Sequence, residues 1–76
     1  MRITQFETIY GRVNVDTVVH PKGRYKASFD EAEIGAADQF GWVAFGWSMM
    51  DTVAALLADR EGLINEMMAG WSQPKH

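Results

Sequence analysis

From Ile3 to Val19 the chain is dense in Ile, Val, Thr, Phe and Tyr, and its last stretch alternates. Val13, Val15, Thr17 and Val19 fall on one side, with Arg12, Asn14, Asp16 and Val18 on the other. A period of two built from β-branched and aromatic residues predicts strand. Gly11 interrupts the run, as a bulge in one long strand or as a tight turn between two short ones. Tyr10-Gly11-Arg12 lacks the Asn-Gly or Asp-Gly signature of a two-residue hairpin, so the reading favours a single bent strand. His20-Pro21-Lys22-Gly23 places proline second and glycine fourth, as a β-turn prefers. A strand at Arg24–Phe29 follows, with Tyr25, Ala27 and Phe29 inward and Arg24, Lys26 and Ser28 outward. Residues 30–40 are acidic and aperiodic and read as a loop. Trp42–Phe45, between Gly41 and Gly46, reads as a third strand whose apolar run suggests burial on both faces or a central place in the sheet.

The strongest local signal is a helix start. Ser48 is a favourable N-cap, and Asp51 three residues on completes the spacing of a capping box and suits the positive helix end. Beyond it Met50, Val53, Ala54, Leu57, Ile64, Met68 and Trp71 recur at steps of three and four, or seven. Gly62 either ends a first helix or sits inside a longer one at a cost of ~1 kcal/mol. The pattern predicts a helix at 49–61 and helical structure again at 63–70. The fold class is therefore α+β: a small antiparallel meander of about three strands within 2–46, packed on a C-terminal amphipathic helix over about 49–70. A second short helix is possible. Trp42 and Met50 are assigned to the core.

With 76 residues the chain reads as one domain, 1–76. A chain of this size buries only about 60% of its unfolded surface, and small domains offset that with disulfides, metals or association. There is no cysteine, and His20 and His76 are the only histidines, which disfavours a disulfide or zinc framework. Association with a second copy or with another partner is the remaining route. No segment has the ~18 consecutive apolar residues of a membrane span, and Met1–Glu7 lacks the apolar run of a signal peptide. The expectation is a cytoplasmic protein.

The net charge of −3 is unevenly spread: Arg2, Arg12, Lys22, Arg24 and Lys26 make the first third basic, while 27–66 is strongly acidic. Overall acidity opposes strong nucleic-acid binding, so Arg12, Arg24 and Lys26 read as edge-strand charges that discourage aggregation in preference to phosphate contacts.

Catalytic constellations fail for want of parts. A thiol nucleophile is excluded, Ser48 is better used as a cap, and His20 beside Pro21 reads as a turn residue. Gly41-Trp42-Val43-Ala44-Phe45-Gly46 opens a strand where a phosphate loop would open a helix. Asp30, Glu31, Glu33 and Asp38 form the one carboxylate cluster, without the spacing of a calcium loop. The reading is a chain that is not an enzyme and needs neither cofactor nor metal. Met67, Met68 and Trp71 lie in a surplus of thioether and aromatic surface of the kind used at adaptable interfaces. They are the alternative interface, beside a partner-binding surface at Asp30, Glu31, Glu33 and Asp38.

Arg24-Tyr25-Lys26-Ala27-Ser28-Phe29-Asp30-Glu31, an acidic loop containing Gly35, and Gly46-Trp47-Ser48-Met49-Met50-Asp51-Thr52-Val53-Ala54-Ala55-Leu56-Leu57 together resemble the N-terminal half-domain of HicB-like antitoxins. That pattern has a strand, a loop, Gly-x-Ser/Thr-x-x-Glu-Ala and an apolar helix; Asp51 and Thr52 stand at its Glu-Ala. The size and half-fold also look like those of phage-borne accessory proteins of the anti-CRISPR type. These resemblances imply a non-enzymatic inhibitor of a host protein or ribonucleoprotein complex. The alternatives are a HicB-like antitoxin or regulatory module, or a small subunit of a larger assembly. A homodimer is a further possible partner.

Overall fold

In the computed structural model, which describes residues 4–30 and 39–72 (the last two as backbone only), the two alternating runs pair across one sheet. Val13 stands opposite Phe29 and Val15 opposite Ala27, so two apolar rows meet on one face. Four antiparallel strands form the sheet in the order β1 (Thr4–Thr8), β2 (Gly11–His20), β3 (Gly23–Phe29) and β4 (Val43–Gly46). One helix, α1 (Met49–Ser72), packs on the face carrying Val13, Val15, Ala27, Phe29 and Ala44, and buries Leu56 among them. The α+β expectation holds, with four strands in place of about three.

The extra strand comes from Gly11. The chain turns at Ile9-Tyr10, with Thr8 opposite Gly11, instead of running on as one bent strand. Thr8 organises this turn: its Oγ1 donates to the Gly11 carbonyl at 2.7 Å and accepts the Tyr10 N–H at 3.2 Å. Gly11 takes φ +122°, a region that favours glycine.

The alternation of β2 also breaks. Thr17 pairs with Tyr25 but His20 with Gly23, so the register shifts between them. A shift of one residue moves side chains to the other face, and Val19, expected beside Val13 and Val15, is fully exposed. At the following turn the His20 Nδ1 accepts the Lys22 N–H at 3.1 Å, and the His20 ring stacks on Phe45 at 3.7 Å between centroids.

The expected third strand is β4. It lies at the sheet edge, not in the centre, although Val43 and Ala44 are both buried. The helix then runs unbroken through Gly62, where two helical pieces were expected. Gly62 has no positive φ, and a Cβ added there would meet Phe40 Cζ at 3.6 Å, an ordinary contact. Ser48 caps α1 as the spacing predicts: its Oγ accepts the Asp51 N–H at 3.2 Å, and its carbonyl accepts the Thr52 N–H at 3.0 Å.

Candidate protein-binding surface

The residues of α1 that meet the sheet are not its most apolar row. Thr52 and Leu56 are fully buried, and Met49, Val53 and Leu57 pack beside them. The guanidinium of Arg60 lies over the rings of Phe29 and Trp42, and Leu63 sits against Gly41. Two polar residue types, Thr52 and Arg60, thus occupy core-facing positions. Thr52 is accommodated because its hydroxyl donates to the Ser48 carbonyl at 2.5 Å. Arg60 is accommodated because a planar, weakly hydrated cation stacks on aromatic faces.

The row Met50, Ala54, Leu57, Ile64, Met68 lies about 100° around the helix from Leu56, at 100° per residue. Met50, expected in the core, is 81% exposed; Ala54 is exposed, Leu57 and Ile64 are half-buried, and Met68 is 63% exposed. Trp42 does pack against the core, as expected.

This flank opens toward β1. The helix packs chiefly on β4 and β3 and only lightly on β2. One helix, about 10 Å across, covers roughly two strands at ~4.8 Å spacing. Phe6 of β1 is left facing the helix flank across a groove of about 250 Å³, lined by Phe6, Met50, Val53, Ala54 and Leu57. Farther along, every residue from Asn65 to Gly70 is exposed, including Met67 at 60%. Of the alternative interface, Met67 and Met68 are therefore surface residues; the side chain of Trp71 lies outside the described residues. Sequence reasoning missed Phe6, because its role depends on where α1 stops covering the sheet.

The opposite face of the sheet is polar and internally paired. Arg12 Nε donates to Glu7 Oε2 at 2.8 Å, and Arg12 Nη1 lies 3.9 Å from Asp30. The hydrogen bond and charge of Glu7, then the charge of Asp30, raise the Arg12 pKa above its ordinary value. Asn14 donates to Asp30 through Nδ2 and accepts from Gln5 Nε2 at 2.9 Å. Arg12, Arg24 and Lys26 belong to β2 and β3, the two inner strands, so the edge-strand reading of these charges is corrected. Of the proposed acidic surface, Asp30 is exposed but already engaged by Asn14 and Arg12; Glu31, Glu33 and Asp38 lie outside the described residues. No three His, Cys, Asp or Glu side chains come together to hold a metal among the described residues. No helix among them is long and apolar enough to cross a membrane.

The chain matches no family model, no curated protein and no solved structure.

Proposed function

We propose that this chain is a non-enzymatic protein-binding module and that the β1-side flank of α1 is its binding surface. One observation carries the reading: an apolar row of the helix flanks the core it packs on, with Leu57 at its margin and Met50, Ala54 and Met68 exposed. Scattered exposed apolar residues are ordinary, whereas a contiguous row beside an apolar groove marks an interaction surface. The groove lining supplies thioether, aromatic and small aliphatic surface of the kind that adaptable interfaces use.

An inhibitor of a host ribonucleoprotein, encoded on a mobile element, is one form such a module takes. In that form the acidic contact falls to Glu31, Glu33 and Asp38, since Asp30 is engaged within the sheet. The test compares Met50→Glu/Ala54→Glu with Glu31→Lys/Glu33→Lys, each checked for native circular dichroism, for binding to its partner or to itself. The flank reading expects the first pair to lose binding and the second to keep it. The reverse pattern moves the binding surface to the acidic stretch.

A further inference from the structure

The flanking row on α1, exposed at Met50, Ala54 and Met68 and half-buried at Leu57 and Ile64, repeats every seven residues. Met50, Leu57 and Ile64 form one line, which the sequence extends to Trp71; Ala54, Glu61 and Met68 form the line beside it. Two lines at this spacing make the seam of a helix that pairs with another helix. The groove of about 250 Å³ between this seam and Phe6 has room for side chains of a second helix laid beside α1. The same chain also supplies an exposed helix end. Met49 to Leu63 runs over the sheet, whereas Asn65 to Gly70 is exposed on every residue.

We propose that the groove is filled by α1 of a second copy of this chain, packed antiparallel about a two-fold axis beside Glu61. The proposal rests on the reading of this flank as a protein-binding surface and names its partner. Antiparallel pairing follows from the two halves of the helix. It sets the projecting half of one copy beside the sheet-backed half of the other, so that Leu57 meets Ile64 and Ala54 meets Met68 across the seam. Both grooves and both helix ends are covered by one symmetric contact, which closes on itself. Parallel pairing would set groove against groove and leave both ends exposed.

The sheet edges offer a poorer route to a dimer. β4 has only four residues, and β1 has five with the charged Glu7 among them. A single helix seam with Phe6 at its margin falls at the lower end of specific interfaces, roughly 1,000–1,200 Å² in total, and predicts micromolar association. Glu61 adds a specific feature. It is exposed and lies on the seam at the middle of the helix, so the axis brings it against its own copy. Like charges oppose there, and a polar residue on a seam sets register at a cost in stability.

The full chain has no cysteine, so introduced cysteines report the contact directly. Mass is measured by light scattering over a concentration series, and Glu61→Cys, Ala54→Cys and Ala54→Cys/Met68→Cys are oxidised under mild conditions. The expected mass rises from 8.6 kDa toward twice that value. Glu61→Cys and the double variant become covalent dimers, while Ala54→Cys does not, because its two copies stand about 21 Å apart along the seam. Glu61→Leu lowers the dissociation constant roughly tenfold or more by replacing the opposed charges with a buried apolar pair.

A monomer at every concentration overturns the proposal. So does a dimer in which Ala54→Cys links to itself, or one in which none of the seam variants links. A monomer that still binds another protein, and loses it in Met50→Glu/Ala54→Glu, leaves the flank as a binding surface and removes only the second copy as its occupant. A dimer unaffected by those two substitutions removes both readings.

Discussion

The guanidinium carbon of Arg60 lies 4.2 Å from the ring centroid of Trp42, and on the same cation the Phe29 ring stands at 4.4 Å. Arg60 Nε and Nη2 are buried and have no hydrogen-bond partner among the described residues. Two opposing effects therefore meet in one side chain. Desolvated N–H groups without acceptors cost about 1–3 kcal/mol, while each cation–π contact returns about 0.5–2 kcal/mol, more when desolvated. The unbranched stem fills space between the rings whatever its charge. Arg60→Met keeps that volume and removes the unpaired donors, so its stability should equal or exceed that of the parent. Arg60→Ala leaves a void between two aromatic rings and should lose about 2–3 kcal/mol. Urea unfolding at constant m-value measures both. A Met variant as destabilised as the Ala variant would show that stacked charge, not volume, holds the middle of the helix.

This residue also marks where the sequence was legible and where it was not. The rows Val13/Val15 and Ala27/Phe29 were readable because both strands are half-buried and alternate, and Ser48 because capping is local chemistry. The face of α1 was misread for a physical reason. Its core positions include Thr52 and Arg60, polar types whose acceptability depends on the Ser48 carbonyl and on two aromatic rings brought from other strands. Met50, read as core, lies instead on the exposed flank beside Phe6. The Ile9-Tyr10 turn was missed because the Thr8 hydroxyl does there what an Asn-Gly pair usually does. Of the candidate binding surface, the exposure of Met67 and Met68 was anticipated; the groove at Phe6 was not, since it exists only in the tertiary arrangement.

The start of α1 offers a second test. Ser48 Oγ satisfies the Asp51 N–H, and its carbonyl serves both the N–H and the hydroxyl of fully buried Thr52. Ser48→Ala removes only the side-chain acceptor and should cost ~1 kcal/mol. Thr52→Val keeps shape but places a methyl group against the Ser48 carbonyl, and should cost about 1–2 kcal/mol. The backbone carbonyl that Thr52 uses survives in Ser48→Ala, so the two losses should add to within about 0.5 kcal/mol. Strong non-additivity in thermal or urea unfolding would mean that the cap and the hydroxyl act as one unit.

Two glycines should respond with opposite signs. Gly41 has φ +81°, and an added Cβ would lie 2.8 Å from Leu63 Cδ2. Gly41→Ala combines backbone strain with a clash at the point where β4 begins, and should lose about 2 kcal/mol or more. Gly62 is inside α1, where an added Cβ would meet Phe40 at 3.6 Å, an ordinary contact. Gly62→Ala should gain about 0.5–1 kcal/mol from helix propensity alone. Unfolding midpoints of the two variants decide this, and a destabilised Gly62→Ala would argue that the helix needs a weak point at its centre.

The last prediction concerns where α1 stops being held by its own sheet. Thr52 and Leu56 are fully buried, and Leu63 abuts Gly41, but all six residues from Asn65 to Gly70 are exposed. The last turn carries no basic side chain to offset the partial negative charge at the helix end. Two turns of helix this exposed are marginal, since isolated helices need about 12–15 residues to persist in water. Amide exchange in a dilute sample should therefore show strong protection from Leu56 to Leu63 and a steep fall beyond Ile64, because local opening there breaks few buried contacts. At high concentration, pairing across the seam should protect Asn65 to Gly70 while leaving Leu56 nearly unchanged. Glu61→Leu should bring that protection in at lower concentration, and Met50→Glu/Ala54→Glu should abolish it. Full protection to Gly70 in the dilute sample would mean that contacts within one chain already hold the projecting turns, and the helix end would then have no call on a second copy.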